Sequence, residues 1–445
     1  MARVVRSENT DGARMLIQTN PQPATEPHSA GDRLGSQPAA TPQPDSRPTD
    51  GGRDPLRVAF LTPWDQQCGN AEYAKRLAVG LRQFATVEPV ELVNFSDADG
   101  EYPRRRRRQV CLSVARQANA TGADLVHIQH EFCFFGRRIR EANRNFRRLV
   151  RRLHKPVVIT LHTWRPAMNR RRRKHWWQNL VEAVRFSLVK RQLAPALRRA
   201  TALVVHSEET YQKLLATYPR LKRKTFVIPI PVEPIDHRAA VPPVRKRPGE
   251  KWVVLPGFVS RYKGHSHAIA ALSLLPESYR LVIAGGVHPK DKSGPEYWMQ
   301  LLAEADAAGL QNRVIFTGFL GDPHQQAAVL HQADCFLLPY DEVGQSGSAV
   351  LADALSHDRP VITSHAKSMF VYRGLPDTVF SSVAVDVSCP ETLAGIIERS
   401  LGDDLPGIPL SRRQQQAVRD HFSLAQTKDR YREAYAFALR GTTQR

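Results

Sequence analysis

The chain has 445 residues, of which 42% are hydrophobic and 24% charged. That is enough to bury two ordinary cores of about 150–200 residues each, plus a tail. No apolar run approaches the roughly 18–20 residues of a membrane span, and the apolar stretch near the start is too short for a signal peptide. Five cysteines, at no metal-binding or redox spacing, fit a reducing compartment. We therefore expect a cytoplasmic protein, with peripheral binding at the inner membrane face as a further hypothesis.

The net charge of +21 is concentrated in one stretch of the chain. Residues 101–200 carry 26 Lys and Arg against 5 Asp and Glu, so they account for the whole excess. Two interpretations stay open: a solvated Arg-rich surface, or a cationic patch for an anionic partner such as phospholipid, an acidic glycan or nucleic acid. A nucleic-acid-binding protein is the less favoured hypothesis, because the sequence has no helix-turn-helix spacing, zinc pattern or aromatic RNA-binding strand.

In chain order, the pattern predicts a tail, two α/β domains and a linker. Residues 1–54 are rich in Pro, Gln, Ser and Gly, so we expect them to be disordered. Between 55 and 235, short apolar runs of buried-strand type, such as Val90–Phe95, alternate with helix-period stretches. Residues 236–250 are Pro-rich and charged, as in a linker, and the alternation resumes over 251–422. This alternation is typical of parallel sheets covered by helices on both faces, and so of two doubly wound, Rossmann-like domains.

The segment Cys335–Ser364 carries the most specific pattern. A buried strand ends near Tyr340, a Gly-containing loop follows, and a helix begins near Ser348. Glycines let a ligand approach the backbone, and the free N–H groups at the start of a helix favour an anion such as a pyrophosphate. Asp353, about one and a half turns into the helix, is placed to accept hydrogen bonds from ribose hydroxyls. The other residues predicted to bind a nucleotide-sugar here are Gln345, Ser346, Gly347 and Ser348.

This segment resembles the sugar-nucleotide signature of the family 4 glycosyltransferases, in which two Glu residues separated by seven positions precede A-x-x-x-G-x-P-V-I. Aligned on Arg359–Ile362, Asp353 stands at the second Glu and Gln345 at the first. The resemblance implies the GT-B fold, in which two Rossmann-like domains face a cleft, and retention of anomeric configuration. It also implies that Gln345 touches the donor hexose, with hydrogen-bonding ability but no charge, and that Asp353 holds the ribose.

A second segment, Leu255–Leu272, resembles the family's G-R-x-x-x-x-K-G stretch. Lys263 matches the lysine that neutralises the leaving diphosphate in the family, whereas Phe258 stands at the position of the arginine. Arg261 lies nearby and is predicted to substitute for that arginine. The alternative for Lys263 is a solvated loop lysine.

The first domain resembles the family more loosely. Gly69 lies where the family has a Gly-rich loop before a helix, and we expect it to let the backbone approach donor and acceptor. His162 stands where a family histidine lines the reacting sugar. The alternative for His162, and for His130 and Glu131 on the preceding strand end, is a polar cap. Residues 423–440 resemble the family's closing helix, which crosses back onto the first domain.

The resemblance implies a hexosyltransferase that takes a UDP- or GDP-sugar and a glycan or lipid-linked acceptor. The predicted catalytic residues are His162, Lys263 and Gln345. No cofactor and no metal ion are expected, because the nearest acidic cluster, Asp97–Glu101, is interpreted as a surface turn. The leaving phosphate would take the acceptor proton, so that His162 positions the sugar without acting as a base. A catalytically inactive glycan-binding homologue is the alternative that Phe258 and Gln345 motivate.

The acceptor, or an anionic membrane surface, is expected to meet a patch in the first domain. A helical stripe of Leu180, Val181, Val184 and Leu188 follows this patch and fits either a core-facing helix or an interfacial helix on lipid. The patch consists of Arg170, Arg171, Arg172, Arg173, Trp176 and Trp177.

Overall fold

The computed structural model describes residues 55–66, 69–95, 102–164, 176–233, 235–288, 291, 293–341, 347–357, 359–364, 366, 369, 384–385, 389–401, 419–420 and 422–441. The segment 1–54, predicted as a disordered tail, lies outside the described residues.

The first of two sheets has six parallel strands in the order β2-β1-β3-β4-β5-β6. Every residue of the three strands β3, β4 and β5 is buried, as expected where helices cover both faces of a parallel sheet. The strands are β1 (Leu56–Thr62), β2 (Ala85–Glu91), β3 (Leu125–His130), β4 (Val157–Leu161), β5 (Ala202–Val205) and β6 (Thr225–Val227).

Helices connect these strands and form, with the sheet, the first lobe of the molecule. One core lies under the second, third and fourth helices, and the first helix packs on the opposite face of the sheet. The helices are α1 (Gly69–Leu81), α2 (Arg104–Ala120), α3 (Ile139–Val150), α4 (Trp176–Arg199) and α5 (Glu208–Thr217).

The second lobe repeats this architecture with strand order β12-β11-β10-β7-β8-β9, again all parallel. Two Rossmann-like sheets are therefore present, and the predicted fold class is confirmed. The strands are β7 (Lys251–Pro256), β8 (Tyr279–Ala284), β9 (Val314–Phe316), β10 (Cys335–Leu338), β11 (Val361–Ser364) and β12 (Ala384–Val385). The helices are α6 (His265–Leu272), α7 (Gly294–Ala307), α8 (Pro323–Leu330), α9 (Ala349–Leu355) and α10 (Pro390–Leu401).

The closing helix α11 (Leu424–Arg440) packs on the first lobe, although it follows the second in sequence. Its buried face, which includes Tyr431 and Tyr435, shares a core with α1 and with strands β1, β3, β4 and β5. The segment before β7, predicted as a linker, packs on the second lobe: Lys246 forms an ion pair with Asp334, and the His237 ring stacks on His331 at 3.6 Å.

The strand predicted at Val90–Phe95 forms instead at Ala85–Glu91. Its last paired residue, Glu91, lies opposite Thr62, where β1 ends before Pro63, so the residues after Glu91 have no strand to pair with. Pro89 lowers the strand signal in the sequence. It is tolerated here because β2 is an edge strand, where a missing N–H breaks no ladder.

Candidate active site

The second sheet reverses its strand order between β7 and β10, which are neighbours although two strands, β8 and β9, separate them in sequence. In open α/β sheets, ligands bind beyond the carboxyl ends of the strands at such a switch point. Lys263 follows β7, and Gly347 and Ser348 follow β10 just before α9. Two of the predicted phosphate-binding segments therefore start from adjacent strands. Gln345 and Ser346 lie outside the described residues.

The ammonium group of Lys263 is buried, with only 4% of the residue exposed. Among the described residues, its Nζ has one long hydrogen bond, 3.4 Å to the carbonyl oxygen of Pro256, and it lies 5.7 Å from the centre of the Tyr340 ring. Within the described part of the chain, no carboxylate forms an ion pair with it. Burial lowers the pKa of Lys263 to about 7. A buried cation with so few partners is costly unless an anion joins it, which argues against a solvated loop lysine.

Ser348 caps α9, because its hydroxyl oxygen accepts a hydrogen bond from the backbone N–H of Leu351 at 3.2 Å. Farther along the helix, Oδ1 of Asp353 accepts a hydrogen bond from Nη1 of Arg76 at 2.7 Å, and the two side chains form an ion pair. Arg76 belongs to α1 of the first lobe. Nothing in the sequence pattern singled it out among the many arginines of this chain.

The guanidinium group of Arg261 points toward α7. It lies 4.7 Å from the centre of the Tyr297 ring, and its Nη1 donates to Oε1 of Gln300 at 2.8 Å. Phe258 stacks on the Phe319 ring at 5.5 Å. The exposed Arg261 is thus held by helix α7, and its substitution for the missing arginine stays a prediction.

His162 belongs to a chain of buried and partly buried hydrogen bonds at the carboxyl ends of β3, β4 and β5. Nδ1 of His206 donates to the carbonyl oxygen of Ile228 at 2.9 Å. Burial lowers the pKa of His206 to about 4, so the ring is neutral and its Nε2 is an acceptor. Nδ1 of His162, 3.2 Å from that Nε2, must then carry the hydrogen. Burial also lowers the pKa of His162, which leaves a lone pair on its Nε2.

That lone pair faces the side-chain amide of Gln129, whose Oε1 lies 2.5 Å away. Two acceptors at this distance repel, so the neutral chain requires the amide turned with its NH₂ group toward His162. Its oxygen then lies 3.2 Å from Nε2 of His127, which is also 2.8 Å from Oγ1 of Thr160, and Nδ1 of His127 lies 2.7 Å from the hydroxyl oxygen of Tyr435. Both ring nitrogens of His162 are thus bonded within the protein. The ring can orient a substrate, but it has no free nitrogen to act as a base.

His130 and Glu131 differ in their surroundings. The His130 ring is buried against Phe135 and Phe146, and burial lowers its pKa to about 3. Glu131 accepts a hydrogen bond from the backbone N–H of Phe132 at 3.0 Å, which begins a short 3₁₀ helix. The alternative of a polar strand-end cap therefore describes Glu131 well.

Gly69 is the first residue of α1, and a β-carbon added there would meet no atom within 4 Å. The start of this helix is therefore open. Of the cationic patch, Arg170–Arg173 lie outside the described residues, while Trp176 and Trp177 begin α4. In the stripe that follows them, Val184 and Leu188 are 52% and 38% exposed, so these two positions do not face a core.

The described arginines of α2 and α3 crowd together. Arg107 forms a two-pronged ion pair with Glu141, through Nε at 2.9 Å and Nη2 at 3.0 Å. Arg148 has a lowered pKa because of burial first and then the positive charges of Arg108, Arg144, Arg147 and Arg152. In the described part of the chain, no three His, Cys, Asp or Glu side chains are grouped as metal ligands. The segment Asp97–Glu101 lies outside the described residues. None of the described helices is both long enough and apolar enough to cross a bilayer.

Comparison with known proteins covers both lobes. Residues 60–234 match the family model described as Glycosyltransferase Family 4, and residues 238–406 match the model described as Glycosyl transferases group 1. A 2-deoxystreptamine glucosyltransferase of Streptomyces kanamyceticus is 30% identical over 288 residues, which cover 60% of this chain and 67% of the relative.

Solved structures agree on the fold. Anabaena HepE in complex with UDP and glucose superposes with a TM-score of 0.60 at 16% identity, covering 86% of this chain and 99% of that one. The sucrose-phosphate synthase of Thermosynechococcus elongatus gives 0.61 at 18% identity, covering 86% and 99%. The two family models and the 30% identical relative show that the chain belongs to the family 4 glycosyltransferases, which transfer a sugar from a nucleotide-sugar, and the solved structures agree with its GT-B fold.

Proposed function

We propose that the chain is a retaining hexosyltransferase that takes a UDP- or GDP-sugar and needs no metal ion for transfer. The observation that carries this proposal is the buried ammonium group of Lys263 at the switch point of the second sheet, which lacks an ion-pair partner among the described residues. A diphosphate bound there would supply the missing anion, and the ammonium would stabilise the charge that develops on it as the sugar leaves.

In the proposed reaction, the acceptor oxygen attacks the anomeric carbon on the face that the diphosphate leaves. The bond from the anomeric carbon to the acceptor oxygen forms while the bond to the phosphate oxygen breaks, and the acceptor proton passes to that phosphate oxygen. No enzymatic base is required, which agrees with the engagement of both ring nitrogens of His162. Asp353 would hold the ribose, and Gln345 the hexose.

Two relatives favour UDP-glucose as the first donor to test. The similar enzyme of Streptomyces kanamyceticus is a glucosyltransferase, and HepE was crystallised with UDP and glucose. Thermal-shift measurements with UDP, GDP, ADP and their glucose and mannose derivatives would identify the nucleotide. A stabilisation by one of them that disappears in Lys263→Met, but not in the surface variant Lys213→Gln, is the expected result. If no nucleotide binds to the parent protein, the catalytically inactive homologue becomes the better hypothesis.

Transfer itself is tested with the donor so identified and a set of glycan and lipid-linked acceptors. Product with retained anomeric configuration, formed equally well with EDTA or with Mg²⁺ present, is expected. A complete loss of transfer in EDTA that Mg²⁺ restores would contradict metal independence.

The acceptor is proposed to be a glycan or a lipid-linked molecule that meets the cationic first lobe. Val184 and Leu188 support the interfacial alternative for α4, because both are exposed one turn apart on a helix of this lobe. Flotation with vesicles of anionic phospholipid tests this: the parent protein should float at low salt, and a Val184→Gln, Leu188→Gln double variant should float less. Failure to float at any salt, with retention of nucleic acid in a mobility-shift assay, would favour the nucleic-acid-binding hypothesis for the patch.

A further inference from the structure

Arg76 and Asp353 connect the two lobes directly. Arg76 lies two turns into α1 of the first lobe, and Asp353 lies in α9 of the second, 277 positions later in the chain. Nη1 of the arginine donates to Oδ1 of the carboxylate at 2.7 Å. An ion pair between two lobes can exist only while those lobes are in contact, so it marks one arrangement of the molecule.

This pair is shielded from solvent more than the neighbouring pair on the same helix. The side chains of Arg76 and Asp353 are 33% and 18% exposed, whereas Lys75 and Glu72, an ion pair within α1, are 51% and 48% exposed. Water and salt screen the exposed pair, and holding two long side chains together in water opposes it further. The Arg76–Asp353 pair should therefore hold its side chains in place better than the Lys75–Glu72 pair does.

Other carboxylates surround Arg76. Burial lowers the pKa of Arg76, but the charges of Asp353, Glu72 and Glu233 together raise it above the ordinary value. Glu233 lies at the end of the first lobe, where its Oε1 accepts from the backbone N–H of Leu424 at 2.9 Å. Arg76 would consequently keep acidic neighbours if α9 moved away, so the contact with Asp353 can break without leaving an isolated buried cation.

Asp353 uses one oxygen for this contact. Its second carboxylate oxygen, Oδ2, has no hydrogen-bond partner among the residues that the structure describes. A carboxylate clamped at one oxygen has a fixed orientation for the other. That is the arrangement needed to accept hydrogen bonds from two neighbouring hydroxyl groups of a ligand.

We infer that Arg76 is a positioning residue for the donor: it holds Asp353 with one oxygen turned to the ribose, and so couples nucleotide binding to contact between the lobes. This inference rests on the proposed function, since it takes the nucleotide to lie at Asp353. Arg76 itself touches neither the sugar nor the reacting atoms. Its loss should weaken donor binding and leave the maximum rate of transfer almost unchanged.

The test compares Arg76→Gln with Lys75→Gln, which removes the same charge one residue away on the exposed side of α1. UDP, GDP and ADP are titrated into the parent protein by calorimetry, and the tightest binder is used for the variants. We expect Arg76→Gln to raise the Kd of that nucleotide and the donor KM about tenfold, with kcat within twofold of the parent. Lys75→Gln should change neither constant, and Arg76→Lys should recover part of the loss. Thermal unfolding of each variant verifies that it is folded.

A double variant separates this inference from the proposed function. In an Asp353→Asn background, Arg76→Gln should add no further loss, because the carboxylate it positions is gone. If Asp353→Asn weakens nucleotide binding but Arg76→Gln does not, the positioning role is wrong and the proposed nucleotide site stands. If neither variant changes nucleotide binding, the assignment of the ribose to Asp353 fails as well. Equal losses in kcat and in donor affinity would indicate a general distortion of the site and would also overturn the inference.

Discussion

The α-carbon of Gly257 faces the ammonium group of Lys263 so closely that a β-carbon built on it would lie 2.7 Å from Nζ. Gly257 also has a φ of +86°, in the region that side-chain-bearing residues rarely adopt. Both features follow from the turn at the end of β7, which brings the lysine back over the strand it has just left. The ammonium group of Lys263 can therefore lie at this position only because Gly257 has no β-carbon.

Replacing Gly257 by Ala should displace the lysine. We expect a loss of at least tenfold in kcat/KM for the donor, because a β-carbon 2.7 Å from Nζ is too close for the ammonium group to stay in place. Gly249→Ala is a matched control, since Gly249 has a similar φ of +82° and a β-carbon there would meet nothing within 4 Å. Both variants should lose about 1–2 kcal/mol of unfolding free energy from backbone strain alone. Equal kinetic effects in the two variants would mean that the contact with Lys263 is unimportant.

Donor use should also depend on pH through Lys263. Since burial lowers its pKa to about 7, the free enzyme loses the ammonium charge as the pH rises through that value. We expect kcat/KM for the donor to fall about tenfold per pH unit well above pH 7, because only the protonated form attracts the diphosphate. Lys263→Met should have a much lower kcat/KM without this fall. A parent profile that stays flat from pH 6 to 9 would contradict the role given to the lysine.

The same lowered pKa predicts an effect on stability. In the unfolded chain the lysine titrates near 10.5, so between about pH 7 and 10.5 the folded protein binds fewer protons than the unfolded one. Stability of the parent protein should then rise with pH over that range. Lys263→Met removes the buried charge, so its melting temperature should be higher than that of the parent protein, and the difference should be largest below pH 7. The advantage should shrink toward pH 10, and an advantage that is independent of pH would show that packing, not charge, causes it.

The fold and the place of Lys263 could be predicted because they depend on local pattern. Strand and helix periodicity are properties of short stretches, and Lys263 stands in a stretch whose neighbours resemble a known motif. Arg76 could not be predicted, because its partner Asp353 lies 277 positions away and only the meeting of the lobes brings them together. The direction of Arg261 was equally hidden, since Tyr297 and Gln300 of another helix decide it.

The hydroxyl groups of Tyr73 and Tyr431 lie 2.7 Å apart in a buried contact that ties α1 to the closing helix α11. Tyr73→Phe and Tyr431→Phe should each cost about 1–2 kcal/mol of unfolding free energy, because each leaves a buried hydroxyl with fewer partners. The double variant should cost less than the sum of the two single variants. Urea denaturation measures all three, with Tyr211→Phe on α5 as a control for the loss of a hydroxyl. Strict additivity would show that the two hydroxyl groups do not interact.

The ion pair between Arg107 and Glu141 should be the most sensitive charge contact of the Arg-rich surface. The two side chains are only 11% and 9% exposed, and Glu141 of α3 binds an arginine of α2 where the arginines of the two helices crowd together. Glu141→Gln should cost roughly 3–5 kcal/mol, because it leaves a buried guanidinium beside other positive charges. Glu88→Gln breaks the pair with Arg57, whose side chain is 53% exposed, and should cost less than about 1 kcal/mol. Chemical denaturation of the two variants at equal salt checks the difference, and similar losses would mean that burial of the Arg107 pair contributes nothing.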